Sequence, residues 1–259
     1  NHRQQQAGNF QNQIFQMIEG EKLGSFWGYT FAGVWQEDDV NAPFVDANGQ
    51  TNGKTNGEVY KVKPGNSKYV DVNKDGVYND ADQGIIGCGQ PTFNWGWNNT
   101  FNYKNFDFSF FVVGFHGFDI YNATHQMGYN LIKSQQMAGV TPMRELLNRW
   151  TPTNTNTDIP GFVKGGTENK DFFSTRFVEN GSFIKMKSIT LGYTLPEATC
   201  RSLGINNLRV YASVQNPFHI TKYSGLDPEA TMGSPLVQGV DWGAYPNSRN
   251  YLIGLNFSF

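Results

Sequence analysis

The chain has 259 residues and a formal net charge of −2 at pH 7, and 15% of its residues are aromatic. This balance of charges gives no case for a nucleic-acid partner, and no stretch approaches the roughly 18 to 20 continuous apolar residues of a transmembrane helix. With only 38% hydrophobic residues and 29 glycines, the composition is also unusual for a soluble enzyme.

The first predicted strand covers residues 25–36, after a start that lacks an initiator methionine and is interpreted as the beginning of a processed or truncated piece. Within this strand Trp27, Tyr29, Phe31 and Trp35 share one face, because alternate residues of a strand point the same way. A connection of about 55 residues separates it from the next alternating segment.

That connection contains "DVNKDGVYNDAD", which has the spacing of an EF-hand calcium loop. Gly76 permits the sharp turn, whereas an aspartate at the last position and the lack of flanking helices depart from a true EF-hand. The sequence predicts a structural Ca²⁺ site, with Mg²⁺ less favoured, and the alternative is an Asx-rich turn without metal. The predicted ligands are Asp71, Asn73, Asp75, Val77 through its carbonyl, Asn79 and Asp82.

Two alternating segments then meet at a short turn. In "TFNWGWNNTFNY" the aromatic residues lie opposite polar ones, and "NFDFSFFVVG" repeats the alternation. Only Lys104 and Asn105 stand between the two segments, and this spacing predicts a β-hairpin.

About 65 residues follow, and within them a threonine N-cap and a proline predict a short helix over 141–150. The next strand, "SFIKMKSITLGYTL", has Ile189 and the later apolar residues on one face. Ile184 and Met186 have the opposite parity. We therefore expect either a β-bulge near Ser188 or a strand that rises beyond the membrane before that point.

The last two predicted strands are "NLRVYASVQN" and the C-terminal "YLIGLNFSF". Both alternate cleanly, and in the terminal strand Tyr251, Ile253, Leu255 and Phe257 share the apolar face. We expect the two strands to pair with each other and the apolar face of the terminal strand to meet lipid.

Long and short connections alternate along the chain, and this sorting predicts the fold class. The long ones cover about 37–91, 115–181 and 217–248, and the short ones have two and about 11 residues. Outer-membrane barrels combine short periplasmic turns with long external loops, whereas loops beyond about 15 residues are uncommon in compact domains. We predict an all-β fold, a transmembrane antiparallel β-barrel segment of about six strands with long extracellular loops. A soluble all-β domain is the alternative.

Two further expectations follow from this topology. Cys88 and Cys200 should lie at opposite ends of an apolar band roughly 25 Å tall, whereas a disulfide needs Cα atoms within about 7 Å, so both thiols are predicted to be free. Aromatic residues near strand ends should form interfacial girdles. The candidates for these girdles are Trp35, Phe93, Tyr103, Tyr193 and Phe259.

Several segments, in the same order, resemble the C-terminal part of SusC/RagA-type TonB-dependent transporters of Bacteroidetes, from about Ile18 to the end. These segments are "GSFWGYTFAGVWQ", "YVDVNKDGVYNDADQGIIG", "PTFNWGWNNTFNYKNFDFSFFVVGFHGFDIYN", "NRWTPTNTNTDIP", "GSFIKMKSITLGYTLP", "LRVYASVQNPFHITKYSGLDPE" and "YLIGLNFSF". The resemblance implies that 1–259 is the C-terminal portion of a barrel of about 22 strands in the bacterial outer membrane. The aromatic C-terminus also resembles the signal read by the machinery that inserts outer-membrane proteins.

The resemblance implies active import of glycan or peptide fragments, with a SusD-like surface lipoprotein as a lid and energy supplied through TonB. The plug domain, the TonB-interacting segment and most of the family's barrel are expected to be absent from this chain. The remaining barrel and plug polypeptide and the TonB complex are therefore implied partners. A surface adhesin or glycan-binding outer-membrane protein without active transport is the alternative.

Nothing in the sequence favours an enzyme. Asp227 and Glu229 could be imagined as the carboxylate pair of a glycosidase, but they lie only two residues apart beside a proline. His116, His125 and His219 have no Ser, Cys or Asp partner at a spacing that would suggest a catalytic base. Aromatic residues in the loops are expected to pack the loops rather than to stack on sugars. The principal ones are Trp150, Trp242 and Tyr245.

Overall fold

A computed structural model describes residues 3–5, 14–129, 143–162, 172–232 and 238–259. β-Strands dominate these segments. In chain order the strands are β1 (Arg3–Gln5), β2 (Gln16–Ile18), β3 (Ser25–Tyr29), β4 (Phe31–Val34), β5 (Pro43–Val45), β6 (Thr51–Thr55), β7 (Ser67–Tyr69), β8 (Gln83–Cys88), β9 (Phe93–Tyr103), β10 (Phe106–His116), β11 (Asp119–Asn122), β12 (Val178–Asn180), β13 (Phe183–Thr194), β14 (Asn207–Thr221), β15 (Val240–Asp241) and β16 (Asn250–Ser258).

The helical segments are short. None of the described helices has the length and hydrophobicity needed to span a bilayer. The α-helices are α1 (Glu37–Asn41), α2 (Asn56–Tyr60), α3 (Ala123–Tyr129) and α4 (Glu197–Ser202), and 3-10 helices cover Asp80–Asp82, Arg144–Asn148, Thr175–Phe177 and Pro228–Thr231. The helix predicted over 141–150 is thus a 3-10 helix from Arg144 to Asn148, and its predicted cap residues, Thr141 and Pro142, lie outside the described residues.

Five long strands form one antiparallel sheet in the order β16, β14, β13, β10, β9. β16 pairs with β14 along its whole length, with Tyr251 opposite Val214 and Phe257 opposite Leu208. The predicted partner of the terminal strand is therefore confirmed. β9 and β16 are the edge strands of this sheet.

The predicted hairpin is also confirmed. β9 and β10 pair from Tyr103 opposite Phe106 to Phe93 opposite His116, and two residues connect them. Lys104, the first residue of this turn, has a φ of 54°, as the tight turns that match strand twist require.

A β-bulge in β13 explains the change of parity in its sequence. Ser188 pairs with Phe111 and Met186 pairs with Val112, so Lys187 is an extra residue relative to β10. The bulge returns Met186 to the face that Ile189 occupies further along the strand. The predicted bulge near Ser188 is confirmed.

The five-stranded sheet has one apolar face, and its side chains are exposed. The register of β14 and β16 places Ile253 opposite Ala212, and Ile253 is 82% exposed. Phe93, Tyr103 and Phe259 are exposed at strand ends, as interfacial girdles require. We call this side of the sheet the apolar face, and its other exposed members include Trp97, Phe101, Phe106, Leu191, Tyr251, Leu255 and Phe257.

The opposite face is mainly polar, although Phe111 and Leu252 also lie on it. Its polar side chains bind one another across strands. Arg209 of β14 donates from Nε to Oδ1 of Asp107 in β10 at 2.8 Å, and Thr190 and Ser213 are hydrogen-bonded at 2.8 Å. The Arg209 and Asp107 side chains meet directly above Gly192 of β13, where a Cβ atom would collide with both. Gly192 therefore leaves room for this cross-strand ion pair, and a larger residue there would make the Asp107 and Arg209 side chains shift.

The prediction that residues 25–36 form a strand of the same sheet is wrong. This segment forms two short strands, of which β3 pairs with β8 and β4 pairs with β7. Trp35 is only 3% exposed, so its assignment to an interfacial girdle is also wrong. The alternating aromatic residues here face a protein core. A strand that packs on a core shows the same period-2 pattern as a strand that faces lipid.

The described parts of the segments predicted as long loops pack into a folded layer at one end of the sheet. β11 pairs with β12 and, in parallel, with β15, and this joins the segments 115–181 and 217–248. A fully buried cluster of Ile14, Phe26, Tyr121 and Ala123 lies within this layer. The strands β10 and β14 extend further than predicted, to His116 and Thr221, because these ends pair with the neighbouring strands.

Both cysteines are free, as predicted. Cys88 ends β8 and is half-buried, whereas Cys200 is buried in α4, which occupies the predicted short connection between β13 and β14.

Candidate metal-binding loop and buried ion pairs

The predicted metal-binding loop connects β7 to β8 and ends in the 3-10 helix Asp80–Asp82. The Asn79 side chain caps this helix by accepting the N–H of Ala81 at 2.8 Å. Asp82 is buried and accepts the backbone N–H groups of Val72 at 2.8 Å and Asn79 at 2.9 Å. The two ends of the loop are therefore held together by one aspartate.

Asx turns shape the exposed part of the loop. Asn73 Oδ1 accepts the N–H of Asp75 at 3.1 Å, and Asp75 Oδ1 accepts the N–H of Val77 at 2.8 Å. The hydrogen bond from Val77, followed by that from the Asn73 amide, lowers the pKa of Asp75. These turns are what the metal-free alternative predicts, and they leave lone pairs on each side-chain oxygen.

Asp71 differs from the other loop carboxylates because one of its oxygens is buried without a partner. Its Oδ2 accepts the Tyr60 hydroxyl and the N–H of Gly76, each at 2.8 Å. Its Oδ1 has no hydrogen-bond partner. Gly76 has a φ of 83°, a conformation that favours glycine, and this supports the predicted role of the sharp turn. An unpaired buried carboxylate oxygen is costly unless a cation or water binds it.

The donor set of the loop is mixed. Within the described part of the chain, no three His, Cys, Asp or Glu side chains converge as a ready-made metal site. Amide and backbone carbonyl oxygens would therefore have to complete the coordination of any ion, as hard cations such as Ca²⁺ allow. The Asp71 carboxylate is the member of the set with an open coordination position.

A second polar cluster joins β13 to the 3-10 helix Pro228–Thr231. Lys185 donates to Asp227 at 2.9 Å and to Glu229 at 2.7 Å, and Lys187 also forms an ion pair with Glu229. The Lys185 and Asp227 side chains are each only 3% exposed. Asn247 donates to both carboxylates, at 3.1 and 3.0 Å. We call these five residues the lysine clamp.

The clamp keeps its carboxylates ionised. Burial is the largest single effect and would raise the pKa of Asp227 and Glu229. The hydrogen bonds and charge of Lys185, together with Asn247 at Asp227 and Lys187 at Glu229, jointly outweigh it and hold both pKa values below their ordinary values of 3.8 and 4.5. Groups with lowered pKa values stabilise the fold above those ordinary values, and this stabilisation is lost as the pH falls through the lowered values. Both carboxylates are paired with lysines.

Sequence reasoning missed the lysine clamp. The only hint in the sequence was that Lys185 and Lys187 alternate in phase with Ile189 and the later apolar residues of the strand. The bulge explains this irregularity. Tyr223 and Asp241 form a second buried hydrogen bond that the sequence did not indicate, and burial is the main cause of the raised pKa of Tyr223.

The three histidines that the sequence singled out lie apart from one another. His116 accepts the indole N–H of Trp95 at 3.2 Å at the outer end of the apolar face. His125 lies 3.7 Å from Glu179, and His219 is exposed opposite Lys185.

The loop aromatics have different environments. Trp150 packs on Gly65 and donates its indole N–H to Gln36 at 2.9 Å, which confirms its predicted packing role. Trp242 and Tyr245 are exposed, and Tyr245 is 89% exposed.

The geometry defines a class of protein. Long antiparallel strands with an exposed apolar face, a polar face and a folded layer beyond one end make up part of the wall of an outer-membrane-type β-barrel.

Comparisons with known proteins identify the family. TonB-dependent receptor P3 of Formosa agariphila is 34% identical over 259 residues, which covers 97% of this chain and 24% of the relative. TonB-dependent receptor SusC of Bacteroides thetaiotaomicron is 32% identical over 199 residues, 76% of this chain and 18% of the relative. No protein-family model matches. The chain belongs to the SusC-type TonB-dependent receptors, and it spans about a quarter of the length of the curated relatives that match over its length.

Solved structures show the same fold. The RagAB peptide transporter superposes with a TM-score of 0.68 at 23% identity, over 96% of this chain and 24% of that chain. The RagAB peptide importer in its "open-open" state gives a TM-score of 0.67 at 22% identity over the same shares. The predicted fold class, an antiparallel segment of a membrane β-barrel, is confirmed.

Proposed function

We propose that this chain forms part of the barrel of an outer-membrane importer that takes up glycan or peptide fragments. The observation that carries the proposal is the five-stranded sheet with its exposed apolar face, in a chain that aligns over 97% of its length with a TonB-dependent receptor. An open sheet would leave unpaired edge groups in the bilayer, so β9 and β16 require further barrel strands. We propose the remaining barrel and plug polypeptide as the source of these strands.

The proposed partners are a SusD-like lipoprotein lid and the TonB complex. The superposed RagAB protein is a peptide transporter, and this supports an importer over a barrel that only binds ligands at the surface. The folded layer formed by segments 37–91, 115–181 and 217–248 would face the cell exterior, where such a lid would sit. The chemistry of this layer, with paired carboxylates and scattered histidines, supports transport rather than catalysis.

Uptake measurements separate the importer from a surface adhesin. Cells with and without the gene would be given labelled oligosaccharides and labelled peptides, in the presence and absence of a protonophore. The importer predicts accumulation inside the cell that requires both the gene and the proton gradient. Surface binding that survives the protonophore, with no internal accumulation in any condition, would establish the adhesin instead.

We also propose that the loop 71–82 binds a structural Ca²⁺ ion, in preference to Mg²⁺. Asp71, Asn73, Asp75, Asn79 and Asp82 would supply side-chain oxygens, and Val77 its carbonyl oxygen. The unpartnered Asp71 Oδ1 supports this proposal. The ion would neutralise the carboxylates and rigidify the loop. Its role would be structural, because a fully coordinated ion leaves no position for chemistry.

Calorimetric titration with CaCl₂ tests the loop. We expect Asp71→Asn to weaken Ca²⁺ binding by about tenfold or more, because it removes a charge at the first ligand position. Asp80→Asn is the matched control: Asp80 lies in the same loop, between two predicted ligands, but at a position that supplies none. Equal Ca²⁺ affinities for both variants, or no binding by the unmodified protein, would contradict the proposal.

A further inference from the structure

Beside the metal-binding loop lies a cavity of about 390 Å³. Among its lining residues are the rings of Tyr60, Tyr69, Tyr78 and Phe172. Tyr60 and Tyr78 stack with ring centroids 5.2 Å apart, and Tyr69 meets Phe172 edge-on at 5.2 Å. The cavity has the size and aromatic walls of a small-molecule site.

The hydroxyl groups of all three tyrosines already have partners, and that of Tyr69 accepts the N–H of Phe172 at 3.2 Å. The Tyr60 hydroxyl donates to Asp71 at 2.8 Å, and the Tyr78 hydroxyl accepts the N–H of Tyr69 at 3.4 Å. The cavity therefore presents chiefly ring faces, and these favour a planar apolar group.

One cation accompanies the rings. Lys61 is the only charged side chain among the described lining residues. It is exposed, and none of the described acidic groups forms an ion pair with it. Its φ of 54° lies in the left-handed region at the end of α2, so the chain turns sharply directly after Tyr60. A lone ammonium group beside aromatic walls favours a ligand that carries both a ring and a negative charge.

The metal-binding loop forms one wall of the same cavity. Gly76, Val77 and Tyr78 belong to the loop and line the cavity, and Tyr60 is hydrogen-bonded to the first predicted metal ligand, Asp71. In the absence of a cation, the loop carboxylates oppose an anion in the cavity. A divalent cation bound in the loop would offset two of their charges and hold the position of Asp71.

We propose that this cavity binds a small aromatic carboxylate and that a divalent cation in the adjacent loop promotes the binding. The cation dependence rests on the Ca²⁺ site proposed above. The ring of the ligand would pack between the tyrosines and Phe172, and its carboxylate would pair with Lys61.

Titration of the reconstituted protein with N-acetyl-phenylalanine, an anion at pH 7, tests this proposal. Its uncharged amide, N-acetyl-phenylalaninamide, has the same ring and serves as the ligand control. In 1 mM CaCl₂, roughly a thousandfold above the affinities of sensor-type calcium loops, we expect saturable binding of the acid and at least about tenfold weaker binding of the amide.

Two lysine variants provide the matched protein pair. Lys61→Asn removes the charge but keeps a residue that tolerates the left-handed conformation. Lys74→Asn makes the same change at another lysine with a φ of 54°, inside the loop but away from the cavity lining. We expect Lys61→Asn to weaken binding of the acid by about tenfold and Lys74→Asn to leave it nearly unchanged. Equal binding of acid and amide, or equal loss in both variants, would overturn the proposal.

The same titration in EGTA separates the two proposals. We expect binding of the acid to weaken when Ca²⁺ is removed. Binding that depends on Lys61 but is unaffected by EGTA would overturn the cation dependence and leave the cavity site supported. Failure of the acid to bind while Ca²⁺ binding is intact would overturn the cavity site alone, and neither result bears on uptake by the importer.

Discussion

The five-stranded sheet and the folded layer beyond it use aromatic residues in opposite ways. On the sheet, Trp97 and Phe257 are exposed on the apolar face, whereas Phe26 and Tyr121 of the layer are fully buried. Polar groups are also used differently, since Asp107 and Arg209 pair on an open face of the sheet, whereas Lys185 and Asp227 of the lysine clamp are buried where the sheet meets the layer. The difference shows that alternation of apolar and polar residues indicates only that a strand has two unlike faces. The length and continuity of the strand indicate whether its apolar face meets lipid or a protein core.

The largest expected effect comes from the lysine clamp between the sheet and the layer. Lys185→Met should destabilise the protein by about 3–5 kcal/mol, because it leaves the buried Asp227 carboxylate without a cation, whereas Glu229 keeps its ion pair with Lys187. The measurement is the free energy of unfolding in urea of the reconstituted protein. Lys54→Met, at an exposed lysine, is the control and should have little effect. A similar stability for both variants would mean that the clamp does not hold the layer to the sheet.

The next effect tests which face of the sheet meets lipid. Ile253→Lys should cost about 2–4 kcal/mol if residue 253 lies near the middle of the bilayer, as is typical of lysine on the lipid face of a barrel. Asn256→Lys introduces the same side chain on the opposite face of the same strand and should be tolerated. The free energy of unfolding of both variants would be measured with urea in lipid vesicles. A larger loss of stability in Asn256→Lys than in Ile253→Lys would contradict the assignment of faces.

A glycine pair sharpens the comparison between the open sheet and the layer. Gly192→Ala should cost about 1–3 kcal/mol, because the new Cβ atom collides with the side chains of Asp107 and Arg209. Gly84→Ala in β8 is the control, since nothing lies within 4 Å of a Cβ atom there. Unfolding midpoints that shift equally in the two variants would rule out the ion pair above Gly192.

The smallest effect concerns a single hydrogen bond within the layer. Trp150→Phe removes the indole N–H that Gln36 accepts and should cost about 0.5–1.5 kcal/mol, although the loss of ring area adds to this. Tyr245→Phe changes an aromatic residue of the same layer that is almost fully exposed, and its free energy of unfolding should be unchanged. Unfolding followed by tryptophan fluorescence would show whether Trp150 packs the layer as the structure indicates.

Much of the sheet could be predicted from local pattern. Three features could be predicted from residues close together in the sequence, and each prediction was confirmed. They are the alternation from Tyr251 to Phe257, the turn at Lys104 and Asn105, and the change of alternation near Ser188. These features depend on the two-residue period of a strand and on turn geometry, which need no knowledge of distant contacts.

The layer could not be predicted in the same way. Trp35 alternates with its neighbours like a lipid-facing residue, and its burial becomes evident only from the fold, where its backbone bonds to Gly65 and Asn66, about thirty residues away. Lys185 and Asp227 are separated by 42 residues, so no local period links them. For the loop 71–82, spacing predicts a set of metal ligands, but the unpartnered oxygen of Asp71 is visible only in three dimensions.

The most direct test of the barrel assignment is a cysteine scan of β16 in lipid vesicles. Cys88 and Cys200 would first be replaced by serine, and spin labels at positions 250–258 would then be measured for access to oxygen and to a water-soluble nickel reagent. The assignment predicts a two-residue period, with oxygen access highest at 251, 253, 255 and 257 and nickel access highest between them. Equal nickel access along the whole strand would contradict a lipid-facing strand.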